Sequence, residues 1–274
     1  MEIFLALIHN NDAGRLDVIR PGIQALSKAL AASASVSSHE FSHQDLRAEF
    51  SAKSALKRDL RAQMLFHSWD KYLTRKTRRK VFVSQLLSIV KTHLKRTPKE
   101  QERARRNALI QMSVTDKHLR AWDSFLESGA NHLLVLEDDA LFKPDSIERF
   151  CSAFQGLKNQ RTETQSFYWD LAGGFDLIDI GVLALEKERT GDQISFRKPV
   201  TNTTCGYLMS RKLIESLRAQ LLTNPLYREI SIDWMLNRLL LDLEQDMQLT
   251  ECIHFLPPIF SHGSFSGAFE AWER

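Results

Sequence analysis

One run of residues constrains this chain more than any other. His132-Leu133-Leu134-Val135-Leu136 leads straight into Glu137-Asp138-Asp139, followed by Ala140-Leu141-Phe142. The apolar stretch is short and Val135 favours a pleated backbone, so it reads as a buried strand. A strand buried on both faces is typical of a parallel sheet in an α/β domain. Ligands of open α/β sheets bind beyond the carboxyl ends of the strands, and this strand releases three carboxylates there. Three such groups repel one another, which makes a cation their natural partner. Hard oxygen ligands suit Mg²⁺ or Mn²⁺, usually shared with substrate phosphates. The competing reading is a solvated acidic turn in front of a helix.

The chain has 274 residues, enough for one large domain or two small ones, and a net charge of +3 that identifies no partner by itself. Cys151, Cys205 and Cys252 form no zinc or redox spacing, and their small, odd number fits a reducing compartment. The opening Met1-Glu2-Ile3-Phe4-Leu5-Ala6-Leu7-Ile8 has no basic n-region, so a signal peptide is not expected. No apolar stretch approaches the ~20 residues of a membrane span. The expectation is a cytoplasmic protein, with the inner face of a membrane as an optional contact.

In chain order, Ile3 to Ile8 is expected to be the first strand. It ends in the polar turn His9-Asn10-Asn11-Asp12-Ala13-Gly14-Arg15. A helix is expected after Pro21, through Ile23, Leu26 and Leu30, and residues 31–40 read as a loop or linker. Neither GxGxxG nor a Walker lysine motif is present, which counts against dinucleotide-binding and P-loop readings. Arg15 is placed to meet a phosphate or simply to start a helix.

Residues 43–128 carry a helical pattern. Between 71 and 106 basic residues dominate, with Phe82, Leu86, Ile89, Val90 and Leu94 recurring at helical spacing. Such a segment suits an anionic membrane surface over about 75–106, less well a nucleic acid, or an ordinary helix with a solvated charged face. Asp116 to Ser128 reads as a helix with Leu119, Trp122, Phe125 and Leu126 on one side and His118 at its edge, as a core histidine is placed. Further on come a helix after Pro144, a strand at Phe167–Ala172 and a close-approach turn at Gly173-Gly174. A hairpin or exposed loop is expected at 186–198, then a strand from Thr201 to Met209. Ser210 caps the next helix, and another begins near Ser231 with Asp233 in its first turn. The tail Phe255–Ser264 reads as irregular, with His262 in it.

Several of these segments, in this order, resemble glycosyltransferase family 25, the lipopolysaccharide-type glycosyltransferases. The resemblance is carried by Lys117-His118-Leu119-Arg120-Ala121-Trp122, by Leu134-Val135-Leu136-Glu137-Asp138-Asp139-Ala140 and by Thr204-Cys205-Gly206-Tyr207-Leu208-Met209-Ser210-Arg211. Ile232-Asp233-Trp234 and Pro257-Pro258-Ile259 extend it; Ile8 through Arg15 matches more loosely. Lys117 stands where the family carries a Ser.

The resemblance implies an α/β fold of GT-A type. That means a single domain over 1–274, a mostly parallel central sheet and a basic helical insertion at about 41–110. It also implies a metal-dependent, inverting transfer of a hexose, most often galactose, from a UDP-sugar. The acceptor would be a glycan or lipid-linked saccharide of lipopolysaccharide, capsule or another cell-surface polysaccharide. On this reading Asp139 is the ligand for Mn²⁺ or Mg²⁺, with His262 completing the metal site. Glu137, Asp138, Asn10 and Arg15 border the nucleotide. Gly173, Gly174 and Asp176 border the sugar, and Asp233 is the base that deprotonates the acceptor hydroxyl. Two rival readings remain: a metal-dependent phosphohydrolase, or a non-catalytic glycosyltransferase-like scaffold or nucleic-acid binder.

Overall fold

A computed structural model of the chain describes residues 1–42, 56–64, 67, 79–159, 165–180, 182–196, 200–224, 227–228, 230–245 and 251–270. Its strands are β1 (Glu2–Ile8), β2 (Ser35–Phe41), β3 (His132–Glu137), β4 (Ala140–Phe142), β5 (Phe167–Asp170), β6 (Glu186–Thr190), β7 (Gln193–Phe196), β8 (Gly206–Ser210), β9 (Glu251–Phe255) and β10 (Phe260–His262). The helices used below are α1 (Ala13–Leu30), α2 (Arg79–Lys95), α3 (Pro98–Glu127), α4 (Ser146–Asn159), α5 (Arg211–Thr223), α6 (Ile232–Gln245) and the single turn α7 (Gly263–Ser266).

Eight strands form one sheet in the order β2-β1-β3-β8-β5-β9-β7-β6, while β4 and β10 pair separately. The fold is α/β, but the sheet is mixed, which corrects the mostly parallel expectation. Three pairings are parallel (β1 with β2, β1 with β3, β5 with β9). Four are antiparallel (β3 with β8, β5 with β8, β6 with β7, β7 with β9). The reason is local. β8 enters from a polar loop and runs beside β3 in the opposite sense, and β6–β7 is a hairpin turned at Gly191, whose φ is +60°.

The period-two alternation of the strands divides the core. Ile3, Leu5, Leu7, Leu134 and Leu136 face α1 and α4. Phe4, Ala6, Ile8, Leu133 and Val135 face α3, α5 and α6, where Trp122 and Phe125 are wholly buried. Truncating one of these buried leucines to Ala would cost about 2–5 kcal/mol.

Four sequence expectations are corrected. α1 begins at Ala13, not after Pro21, because Asp12 caps it by accepting from the Arg15 amide at 3.0 Å; Pro21 lies inside the helix. The supposed linker contains β2, a polar strand that needs only one neighbour because it is at the sheet edge. The strand expected from Thr201 starts only at Gly206, and the tail contains β10. The helical expectation for 43–55, 65–66 and 68–78 lies outside the described residues. α3 runs unbroken from 98 to 127, so the expected insertion boundary near 110 falls within a continuous helix.

Candidate active site

β1 sits between β2, reached through α1, and β3, all three parallel, so the connections lead to opposite sides of β1 and the strand order switches at the β1–β3 pair. At such a switch point a crevice opens beyond the strand ends. His9 and Asn10 end β1 there, Glu137-Asp138-Asp139 end β3, and Thr204-Cys205 enter β8. The three acids separate into two environments.

Asp138 is buried and turned toward the β1 loop. It accepts from the Asn10 amide (3.0 Å) and from the Arg15 guanidinium (3.0 Å). Burial raises its pKa despite these donors. Arg15 also donates to the Glu270 carbonyl at 2.5 Å and lies over the Phe269 ring. The Asn10 side chain accepts from Lys117 Nζ at 2.6 Å, and the same ammonium donates to the His9 carbonyl at 3.1 Å. Burial lowers the Lys117 pKa, against the pull of Glu137 and Asp138. The structure therefore brings Asn10, Arg15 and Asp138 together as the sequence suggested, but turns them toward one another. In this arrangement they build the wall of the crevice.

Asp139 faces the other way. Its Oδ1 accepts from Cys205 Sγ (3.2 Å) and its Oδ2 from Ser264 Oγ (2.7 Å). His262 Nδ1 is 3.3 Å from Oδ2, buried and without a hydrogen-bond partner. The ligand atoms of Asp139, Cys205 and His262 all lie within 4.8 Å of one another, a set that could hold a metal ion. The carboxylate and imidazole suit a divalent cation. Burial, then the charge of Asp139, pushes the Cys205 thiol up, so it keeps its proton and orients the carboxylate. α7 supplies Ser264 and the Gly263 amide, which donates to the Asp139 carbonyl at 2.7 Å.

Glu137 faces α3 and α6. It accepts from His118 Nε2 (3.1 Å) and from Thr204 Oγ1 (3.0 Å). Burial pushes this carboxyl up, but the hydrogen bonds from His118 and Thr204 outweigh it and hold the group well below the usual range. Tyr207 fixes the histidine: its hydroxyl accepts from Trp122 Nε1 (3.0 Å), so its own proton goes to His118 Nδ1 at 2.8 Å. His118 Nε2 then carries the proton donated to Glu137.

Thr204 Oγ1 is also 2.8 Å from Asp233 Oδ1. A hydroxyl has one proton and cannot donate to two carboxylates at once. Burial, then the charge of Glu137, lifts the Asp233 pKa to about 6. Below that value Asp233 donates to Thr204, which donates to Glu137. Above it Asp233 is an ionised, desolvated carboxylate.

Gly173 and Gly174 leave room for neighbours: a Cβ on Gly173 would meet Asn202 Nδ2 at 2.6 Å, and one on Gly174 would meet Thr203 and Phe265. Phe265 packs on His262, which ties this turn to the Asp139–His262 side of the site. Asp176 is exposed and accepts from the Ile178 amide at 2.7 Å. That bond closes a local turn just beyond the two glycines.

Sequence reasoning missed Thr204, Cys205, Lys117 and Asp170 as members, and it favoured a structural role for His118 over one lining the donor site. Asp170 is buried at the end of β5, and burial raises its pKa to about 8 although it accepts from the Asn202 amide and the Tyr168 hydroxyl. The one available signal was the polar run Thr203-Thr204-Cys205 ahead of an apolar strand. No protein-family model matches the chain, and no curated protein matches it.

Proposed function

We propose that this chain is a metal-dependent, inverting glycosyltransferase. It moves a hexose, galactose in the first instance, from a UDP-sugar to a glycan acceptor of a cell-surface polysaccharide. The observation that carries the reading is the division of one acidic strand end. Asp139 is grouped with His262 on one side, and Asp233, a carboxyl lifted to about 6, is linked through Thr204 to Glu137 on the other. A GT-A-type domain built on the mixed α/β sheet is the architecture this reading assumes.

In the transfer a bond forms between the acceptor oxygen and the anomeric carbon as the bond to the diphosphate breaks. Asp233 takes the acceptor's proton, and a base with a pKa near 6 is ionised yet still basic at neutral pH. Mn²⁺, or Mg²⁺ in its place, held by Asp139 and His262, would neutralise the charge of the departing diphosphate. Glu137, kept ionised by His118, holds Asp233's pKa up by repulsion.

Melting curves with UDP, GDP or CMP, each with and without Mn²⁺, test the reading. The expected outcome is a shift for UDP that needs Mn²⁺ and vanishes in Asp139→Asn. UDP release from UDP-galactose should then rise with pH through about 6 and be lost in Asp233→Asn. No shift with any nucleotide would sink the proposal.

A further inference from the structure

The site absorbs β1, β3, β8 and the second half of α3, but not α2. That helix is built unlike the others. Over Arg79–Lys95 it contains no Asp or Glu, and none of its described side chains is buried. Phe82, Leu86, Ile89, Val90 and His93 are half-buried on one side. There Phe82 stacks on His67 at 4.2 Å and His93 Nε2 meets Asp59 at 2.7 Å, so those two residues cover that side.

The opposite side is open. At 100° per residue, Lys80, Val83, Ser84, Leu87, Lys91, Leu94 and Lys95 fall within about 120° of the helix circumference. All are exposed, with Leu87 at 65% and Leu94 at 81%. Solvating a leucine this fully in an ordered helix, on the same face as three lysines, calls for an occupant that takes both.

We propose that this face of α2 docks on an anionic lipid bilayer. Val83, Leu87 and Leu94 would enter the acyl boundary, while the lysines, whose long stems let their ammonium groups reach outward, would meet lipid phosphates. A second copy of the chain fits poorly, because a two-fold contact would set Lys80, Lys91 and Lys95 against their own counterparts. The helix that follows adds exposed Arg103, Arg105 and Arg106, with exposed Glu100 and Glu102 between them and α2. Glu100 is occupied in capping Thr97, and Glu102 is 3.9 Å from Arg105. α3 joins this surface to the site: His118 is thirteen residues beyond Arg105, ~20 Å along the axis. The basic surface expected at 75–106 is thereby assigned to the outer face of α2 and the start of α3; residues 75–78 lie outside the described structure.

The test is co-sedimentation of the full chain with phosphatidylcholine vesicles, with and without phosphatidylglycerol. Wild type should pellet with the anionic vesicles only, and less at high salt. Lys80→Glu/Lys91→Glu/Lys95→Glu should weaken binding on the order of a hundredfold or more. Leu87→Gln/Leu94→Gln should weaken it about a hundredfold. All changed side chains are exposed, so circular dichroism melts should be unaltered. Wild type that stays in the supernatant with anionic vesicles overturns the proposal, as does binding unchanged in both variants. The measurement uses no nucleotide, and the UDP–Mn²⁺ melting shift is read on the same samples. Each can fail without the other.

Discussion

Asp138 and Asp139 are consecutive, and 4% and 5% exposed, yet they belong to differently built regions. Around Asp138 the donors come from the protein itself: the Asn10 amide and the Arg15 guanidinium, with Lys117 holding Asn10 from behind. Around Asp139 a histidine nitrogen lies buried and unbonded at 3.3 Å, and a thiol and a serine hydroxyl aim the carboxylate. Buried polar groups are normally satisfied, and this exception lies beside a carboxylate and a thiol in a set that could hold a metal ion. The contrast teaches that charge and burial do not identify a ligand-binding acid. The distinguishing feature is whether the surrounding donors leave it a task.

Substitution on each side should break the two regions differently. Asp138→Ala leaves the Arg15 charge buried without its carboxylate, a change that costs about 3–5 kcal/mol. For a chain of this size that lowers the melting temperature by roughly 10 °C. Asp139→Asn keeps the shape and most acceptor capacity, so it should melt within a few degrees of wild type while losing the Mn²⁺-dependent UDP shift. Calorimetry of both variants, with and without UDP and Mn²⁺, separates them. A melt of Asp138→Ala close to wild type would show that the wall is not held by this pair.

The β3 strand and its acids were legible because a buried strand is written locally, as an apolar run that ends in charge. So were α4 after Pro144 and the Ser210 cap, where the hydroxyl accepts from the Leu213 amide. The start of α1 was misread because Pro21 looked like an N-terminal signal while Asp12, the actual cap, lay in an unremarkable polar turn. β2 was missed because an edge strand needs little hydrophobicity. The division of labour among the acids was not legible. It depends on His118, Thr204, Tyr207 and Asp233, which come from three distant segments and meet only after the sheet and its two helix layers assemble.

Asp170 sharpens the comparison from a third direction, as a carboxyl held neutral rather than paired. Its value of about 8 in the folded chain exceeds the ordinary value near 4. Between those limits the folded state binds more protons than the unfolded one, so this group's contribution falls as pH rises across that window. Asp170→Asn retains an acceptor for the Asn202 amide and the Tyr168 hydroxyl but cannot ionise. Urea midpoints across this pH range should show the variant gaining on wild type as pH rises, with the difference levelling off above about 8. A constant difference would show that Asp170 is ionised in the folded chain.

Tyr207→Phe should have the smallest effect and tests the finest feature of the Glu137 side. The Tyr207 hydroxyl lies between Trp122 Nε1 and His118 Nδ1, and it decides that His118 presents Nε2–H to Glu137. Without it two buried ring nitrogens lose a partner, at about 1–3 kcal/mol. The histidine is also free to move its proton to Nδ1. Nitrogen-edited NMR of the imidazole should show the Nε2–H tautomer in wild type and a mixture in the variant. UDP release should fall several-fold, because Glu137 is then less firmly held ionised and repels Asp233 less. If tautomer and stability are both unchanged, Tyr207 serves only to pack, and the Glu137 side is organised by Thr204 and Asp233 alone.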